Sequence, residues 1–153
     1  MANTYTQIYL HIVFSVKGRL NLIRKDWKEE LHKYICGIVN GKEQKVYAIG
    51  GVADHIHILV SIKPNIALSD LVRDIKASSS KWINEKGLVK GKFQWQEGFG
   101  AFSYAQSQLD TIIAYINNQE QHHKKKTFKD EYLELLQKFD VGYDEKYLFE
   151  WIE

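Results

Sequence analysis

Apolar and polar side chains alternate along four segments of the chain, a period of two residues that is typical of β-strands. This alternation predicts strands over residues 5–16, 45–51, 54–62 and 99–105. Residues 27–39 and 68–82 instead place apolar side chains three and four positions apart, which predicts amphipathic helices. The resulting order of strand, helix, strand, strand, helix, strand predicts a ferredoxin-like or RRM-like α+β fold, in which a four-stranded antiparallel sheet carries both helices on one face.

The other face of the predicted sheet is left free for function. The first and third strands are central neighbours in this topology, so His11 shares the free face with His55 and His57. Two imidazoles on alternate positions of one strand can converge on a metal ion, because nitrogen–metal bonds of about 2.0–2.1 Å and the ring lengths span the gap between them. The alternative is that both histidines are polar residues on a solvated sheet face, and the strand alone leaves both interpretations open.

A further amphipathic segment follows the last predicted strand. The stretch from Ser107 to Asp110 resembles a capping box, and it predicts a helix from about residue 108 to residue 123. Tyr115 and Gln119 are four residues apart and share the polar stripe of that helix. A tyrosine in such a position is either a chemical group or an amphipathic residue at the edge of the domain.

Composition indicates one compact domain without membrane or export signals. The 153 residues are 44% hydrophobic and 26% charged, which suffices for one ordinary core. The chain starts without a basic and apolar leader and has no run of 18 apolar residues, so we expect neither a signal peptide nor a membrane span. The single cysteine, Cys36, cannot form an internal disulfide, which agrees with a cytoplasmic location.

Charge divides the chain at about residue 130. Residues 130–153 contain eight acidic residues against two lysines, a net charge of −6, so the preceding residues carry +8 of the total of +2. A basic body can attract a polyanion while an acidic segment faces away or covers a basic surface. We therefore predict one domain over residues 1–129 and an acidic C-terminal extension over 130–153 that packs on this domain or trails from it.

The combination of these segments identifies a protein family more specifically than any one segment does. The chain resembles the HUH single-tyrosine transposases of bacterial insertion sequences and their REP-associated tyrosine transposase relatives. The matching segments are YLHIVFSVK (9–17), DHIHILVSI (54–62), LVRDIKASSSKWI (71–83), WQEGFGAFSYAQS (95–107) and YINNQEQHHKKKTF (115–128). The resemblance therefore covers nearly the whole chain.

The resemblance implies a DNA transposase that cleaves and rejoins single-stranded DNA at hairpin-containing element ends through a 5′-phosphotyrosine intermediate. Tyr115 would be the nucleophile, and His55, His57 and Gln119 would bind a divalent metal ion. Two nitrogens and one amide oxygen suit Mg²⁺ or Mn²⁺, although zinc is compatible with the same ligand types. His11, on the same sheet face, would be a supporting group.

Binding of single-stranded DNA requires cations for the phosphates and aromatic rings for unpaired bases. Candidate phosphate contacts are Lys76, Lys81, Lys86, Lys90, Lys92, Lys124, Lys125 and Lys126. Trp95, in a glycine-rich loop, is the candidate for stacking on a base. For the lysines, the alternative of ordinary solvated surface charges remains open.

The resemblance also implies a homodimer. Glycines at positions 87, 91, 98 and 100 lie between the histidine strand and the tyrosine helix, so that helix could dock on the sheet of a partner subunit. His55 and His57 of one chain would then work with Tyr115 and Gln119 of the other.

Two other functions remain open from sequence. One is a non-catalytic RRM-like module, which would stack bases on aromatic residues of the central strands. The histidine strand offers no aromatic side chain on its free face, and the chain lacks the usual RNA-binding signature. The other is a host-adopted relative that nicks chromosomal palindromic repeats.

Overall fold

The computed structural model describes residues 4–124 and 126–144, and it has the predicted ferredoxin-like fold. The strands are β1 (Tyr9–Ser15), β2 (Lys45–Val52), β3 (His55–Ser61) and β4 (Gly100–Tyr104), and the helices are α1 (Lys25–Gly41), α2 (Leu68–Lys86), α3 (Leu109–Asn117), α4 (Gln119–His122) and α5 (Phe128–Lys138). The four strands form one antiparallel sheet in the order β2-β3-β1-β4. Within the described ranges, no helix is long and apolar enough to cross a membrane.

The alternation of side chains along β3 separates the core from the site. Ile56, Ile58 and Val60 point towards α1 and α2 and belong to the main hydrophobic core, where each is fully buried. His55 and His57 point to the other face of the sheet because successive side chains alternate. Since β1 pairs with β3, the central strands of the sheet form the floor of the site.

Helices α3 and α5 cover the sheet face that was predicted to be free. Leu59 packs with Ile112 and Ile116 of α3 in one apolar cluster. A second cluster joins the sheet to α5 and consists of Val13, Phe102, Phe128, Tyr132, Leu135 and Leu136. His55 and His57 are 0% exposed beneath these helices, so the solvated-face interpretation of the two histidines is wrong.

Helix α5 crosses the boundary predicted at residue 130. Thr127 caps its first turn, with the Thr127 hydroxyl accepting a hydrogen bond from the backbone amide of Asp130 at 3.2 Å. Beyond its end, Phe139 packs against Phe102 of β4 with ring centroids 5.0 Å apart. The first part of the acidic extension therefore packs on the domain, whereas residues 145–153 lie outside the described residues.

The segment predicted as one helix over 108–123 forms two helices. A 3-10 turn over Gln106–Gln108 precedes α3, and Ser107 provides no side-chain cap. The Gln108 side-chain oxygen instead accepts a hydrogen bond from the amide of Ala105 at 2.9 Å. Asn118, with φ −108° and ψ 26°, separates α3 from α4, so Tyr115 and Gln119 belong to different helices.

Two glycines allow helices to approach the sheet closely. A Cβ atom at Gly50 of β2 would overlap the carbonyl oxygen of Ile116 in α3, and a Cβ at Gly100 of β4 would lie 2.7 Å from the Tyr132 hydroxyl oxygen in α5. Only glycine leaves room for these contacts. The tyrosine-bearing helix α3 therefore packs on the sheet of its own chain.

Trp95 is a core residue, so the prediction that it stacks on an unpaired DNA base is wrong. Its side chain packs edge-on against Phe14 and Phe93, with ring centroids 4.8 Å away in both cases. Its indole N–H donates a hydrogen bond to the Ser79 hydroxyl at 2.9 Å. Only 8% of Trp95 is exposed because the glycine-rich loop returns to the end of β1 at this point.

We expect Gly50→Ala to lower the free energy of unfolding by about 1–3 kcal/mol, because the added methyl group must push α3 away from β2. Gly37→Ala in α1 is the matched control, since nothing lies within 4 Å of its added Cβ. That change should stabilise the chain by about 0.5–1 kcal/mol. Urea denaturation measures both, and equal stability of the two variants would contradict the close contact.

We expect Trp95→Phe to lower the free energy of unfolding by about 1–3 kcal/mol, because it leaves a cavity and removes the bond to Ser79. Its affinity for single-stranded DNA, measured by fluorescence anisotropy, should stay that of the wild type. Lys92→Ala serves as the surface control and should change stability by less than about 0.5 kcal/mol. Weaker DNA binding by Trp95→Phe at unchanged stability would restore the stacking role.

Candidate active site

The two histidines of β3 are held by partners on their Nδ1 atoms. His55 Nδ1 and Asp54 Oδ1 are hydrogen-bonded at 2.7 Å. His57 Nδ1 shares a hydrogen bond of 2.7 Å with His11 Nε2. A partner on one ring nitrogen fixes the ring and leaves the other nitrogen for a metal ion. The Nε2 atoms of His55 and His57 both face the space beneath α4 and α5.

His11 occupies the position expected of a supporting group. It is fully buried and stacks on the His57 ring, with the ring centroids 4.9 Å apart. Its other nitrogen, Nδ1, has no hydrogen-bond partner among the described residues. Burial lowers the pKa of His11 well below its usual value, so the ring is neutral at pH 7.

Gln119 joins the histidines at the start of α4. Its side-chain oxygen lies 3.5 Å from His55 Nε2 and 3.1 Å from His123 Nε2. Its amide nitrogen donates to the Tyr115 carbonyl oxygen at 3.2 Å. The structure therefore brings together all three side chains that the resemblance implies as metal ligands.

Glu131 of α5 lies at the centre of the site, and sequence reasoning missed it. Its Oε1 atom is 3.0 Å from His123 Nε2, 3.2 Å from His57 Nε2 and 3.5 Å from His55 Nε2. Glu131 is only 2% exposed. A signal was present in the sequence, because an acid here interrupts the apolar stripe formed by Phe128 and Leu135.

Tyr115 is half-buried beside this carboxylate. Its hydroxyl donates a hydrogen bond to Oε2 of Glu131. The Tyr115 ring stands edge-on to the His57 ring, with centroids 5.8 Å apart. Burial and the negative charge of Glu131 raise the pKa of Tyr115 well above its usual value, so the phenol is protonated at neutral pH.

Burial and hydrogen bonds shift the pKa values of Glu131 and of the two histidines of β3. Burial lowers the pKa of His57 to about 4, so the ring is neutral, the form that binds metal ions, at pH 7. Burial would by itself raise the pKa of Glu131, but hydrogen bonds with His123, His55 and His57 outweigh it and lower the pKa. An ionised carboxylate thus faces the neutral imidazole of His57. Burial would lower the pKa of His55, but hydrogen bonds with Asp54 and Glu131 outweigh it and raise the pKa of this ring.

The residues present fit a divalent metal ion. His55, His57, His123 and Glu131 each offer one ligand atom, and these four atoms all lie within 4.8 Å of one another. Imidazole nitrogen and carboxylate oxygen are the usual ligands of borderline divalent ions. The ligand identities and their spacing therefore agree with the ion that the resemblance implies.

A cleft of about 370 Å³ between α3 and α5 leads to the tyrosine. Its walls include Tyr104, Thr111, Tyr115, Glu131 and Lys138. The cleft is the route by which a flexible polymer could reach the Tyr115 hydroxyl from solvent.

Three of the lysines predicted to contact phosphate, Lys76, Lys81 and Lys86, lie on α2, which packs on the sheet face opposite the histidines. Lys76 is half-buried, and its ammonium group donates hydrogen bonds to the carbonyl oxygens of Gln96 at 2.8 Å and Gly98 at 2.5 Å. Burial lowers the pKa of Lys76 to about 8. Lys76 therefore holds a loop of its own chain, contrary to the prediction of a free phosphate contact, whereas Lys81 is exposed and lies 3.8 Å from Glu85.

The other predicted DNA contacts differ in their surroundings. Lys92 and Lys124 are exposed, and Lys124 directly follows His123. Lys126 donates a hydrogen bond to Glu134 at 2.5 Å. Lys125 lies outside the described residues. Lys92 and Lys124 thus remain predicted phosphate contacts.

Two solved structures share this fold. A Deinococcus radiodurans R1 protein that carries a provisional transposase assignment has a TM-score of 0.63 and 18% sequence identity, covering 76% of this chain and 94% of that one. A REP-associated tyrosine transposase bound to a REP hairpin has a TM-score of 0.55 and 14% identity, covering 74% and 67% of the two chains. At these identities the likeness shows the fold.

Sequence comparison adds the family. The transposases for insertion sequence element IS200 of Salmonella typhimurium and Salmonella typhi are each 26% identical to this chain over 98 residues, which is 63% of this chain and 64% of theirs. The chain thus spans less than two thirds of the length of these relatives. A family model described as "Transposase IS200 like" matches residues 4–119, a range that includes His55, His57, Tyr115 and Gln119. The chain belongs to the IS200-like transposase family.

Proposed function

We propose that the chain is a single-tyrosine transposase that cleaves and rejoins single-stranded DNA by metal-assisted transesterification. The observation that carries this proposal is the convergence of the Tyr115 hydroxyl, three imidazoles and a carboxylate at one buried point beside a cleft. A nucleophile next to a divalent-ion site is what phosphodiester chemistry requires. Family membership supports the same class of reaction.

Tyr115 would act as the nucleophile. Its Oη atom attacks a DNA phosphorus, a P–O bond forms, and the bond from that phosphorus to the 3′ oxygen breaks. The phenol proton lies in the hydrogen bond to Glu131 Oε2, which would receive it and later release it to solvent, while the departing 3′ oxygen would take up one proton from solvent to become a hydroxyl. The DNA stays attached through a 5′-phosphotyrosine, and attack by a 3′-hydroxyl of another strand reverses the step and joins new ends.

His55, His57 and Gln119 would hold the divalent ion that the family resemblance implies, Mg²⁺ or Mn²⁺. A bound ion would polarise the phosphate and stabilise charge on the attacking and leaving oxygens. Asp54 and His11 keep the rings of the two histidines in place through their Nδ1 atoms. This support matters because an imidazole that rotates would no longer point its Nε2 atom at the ion.

The proposed substrate is a single strand that carries a hairpin. One solved structure of this fold is that of a transposase bound to a REP hairpin, which makes hairpin DNA the first substrate to test. A flexible strand can bend into the cleft beside Tyr115, and exposed Lys92 and Lys124 offer contacts for its phosphates. The hairpin would come from the end of an insertion element or from a chromosomal palindromic repeat.

We expect Tyr115→Phe to abolish the covalent protein–DNA complex while changing DNA affinity by no more than a few fold, because it removes only the attacking oxygen. A labelled hairpin strand and denaturing gel electrophoresis detect the complex. Tyr34→Phe is the matched control, because Tyr34 stacks on Trp82 in the opposite helical layer. A covalent complex that persists in Tyr115→Phe would show that the nucleophile is another residue.

We also propose that the chain acts as a homodimer in which each subunit carries a complete site. The contact between Gly50 and Ile116, and the 3.5 Å distance from His55 to Gln119, support assembly within one chain. The trans arrangement would instead pair the histidines of one subunit with the tyrosine of the other.

Mixed dimers of Tyr115→Phe and His57→Ala distinguish the two arrangements. Each subunit of such a dimer has a defective site if sites form within one chain, so we expect heterodimers isolated with two affinity tags to remain inactive. Mixed wild-type dimers with the same tags are the positive control. Recovery of cleavage in the mutant heterodimer would show that the site is shared between subunits.

A further inference from the structure

The family match ends at residue 119, but the buried cluster of polar side chains does not. His123 follows α4, and Glu131 lies in α5, so half of the four side chains placed to hold an ion come from beyond the matched range. His123 has 11% of its side chain exposed and Glu131 has 2%. A part of the chain that the family pattern does not cover therefore supplies groups to the site.

The distances from Glu131 to the three imidazoles are close to those expected around one ion, and all four ligand atoms lie within 4.8 Å of one another. Ligand atoms at about 2.0–2.2 Å from a tetrahedral metal are roughly 3.3–3.6 Å from one another. Glu131 Oε1 lies 3.0, 3.2 and 3.5 Å from the Nε2 atoms of His123, His57 and His55. The side chains would need to move only slightly apart to take their positions around an ion.

The hydrogen-bond partners around the cluster also agree with a metal site. Asp54 holds the far nitrogen of His55, His11 holds that of His57, and the Tyr115 hydroxyl donates to the second oxygen of Glu131. Metal ligands in proteins usually have such partners, which orient them and leave one donor atom for the ion. The other ligand atoms of His55, His57 and Glu131 converge with His123 Nε2 at the centre of the cluster.

We infer that Glu131 and His123 complete a three-histidine, one-carboxylate metal centre with His55 and His57, and that the bound ion latches α5 onto the sheet. The presence of an ion rests on the proposed function, whereas its ligand set rests on the geometry of this chain. Three imidazoles favour borderline ions such as Co²⁺ or Zn²⁺ over Mg²⁺, which prefers oxygen ligands. Gln119 then stands beside the ion as a weaker or auxiliary ligand.

Cobalt binding to the metal-free full-length chain tests this assignment without relying on activity. Co²⁺ absorbs visible light more strongly in four-coordinate than in six-coordinate sites, so a titration reports affinity and geometry together. We expect the wild type to bind one Co²⁺ with a four-coordinate spectrum. Glu131→Gln and His123→Ala should each weaken binding at least about tenfold and change the spectrum.

Two further variants make the titration specific. Asp130→Asn is the matched control, because it removes one negative charge from the adjacent, exposed position of α5 and should leave Co²⁺ affinity unchanged. Gln119→Ala should weaken binding less than Glu131→Gln does. Circular dichroism of each metal-free variant verifies that it is folded, and His123→Ala tests the same centre if Glu131→Gln fails to fold.

Hydrogen exchange tests separately whether the bound ion holds α5 on the sheet. Amide hydrogen exchange in α5 should slow when one equivalent of Co²⁺ is added to the wild type, and it should not change in Glu131→Gln. Wild-type affinity and spectrum in both Glu131→Gln and His123→Ala would overturn the assignment, as would a larger loss in Gln119→Ala than in Glu131→Gln. Cleavage of a labelled hairpin is scored separately, so a chain that binds Co²⁺ in this way but never cuts DNA would refute the proposed function alone.

Discussion

The carboxylate of Glu131 is the contact on which the arrangement of the site depends. An ionised carboxylate moved from water into the space between a sheet and two helices costs several kcal/mol unless partners replace its hydration. Here the partners come from every element around it: β3 provides His55 and His57, the segment after α4 provides His123, and α3 provides the Tyr115 hydroxyl. Each of these elements is therefore held in register with α5 by a group that it would be costly to leave unpaired.

The sheet and the helices contribute differently to this site. The central strands fix the imidazoles, since pairing of β1 with β3 sets His11 next to His57. The helices bring in the oxygen groups, and their positions are set by close approach at Gly50 and Gly100. The sheet thus provides only nitrogen ligands, whereas the helical layer adds the oxygen atoms together with the third imidazole, that of His123.

The strands of the sheet and the face that carries the histidines could be predicted from local sequence. The alternation in β3 gave both the strand and the side to which His55 and His57 point, and the order of elements gave the neighbouring strand that carries His11. Trp95 was misassigned because glycines around it suggested an exposed loop, whereas contacts with Phe14 and Ser79, which are distant in sequence, bury it. The roles of Tyr115 and the metal ligands stay predictions.

Glu131 was missed for a different physical reason. A charge count over residues 130–153 treats the buried Glu131 in the same way as acids that are exposed, such as Asp130 and Glu134, and so suggests a solvated segment. The helical spacing of α5 contains the missing information, because an acid flanked by Phe128 and Leu135 must either face a partner or remain unsatisfied. Which partner it meets depends on how α5 packs across the sheet, and that is a property of the tertiary structure.

The packing of α5 also sets how short a self-sufficient version of this protein can be. A fragment trimmed to the family match at residue 119 would retain all four strands, yet Val13 and Phe102 would lose the apolar face that covers them. Water would enter around His55 and His57, and the uncovered patch would favour aggregation. The range that matches the family is thus shorter than the range whose side chains bury the sheet, and a fragment designed from burial would extend through α5.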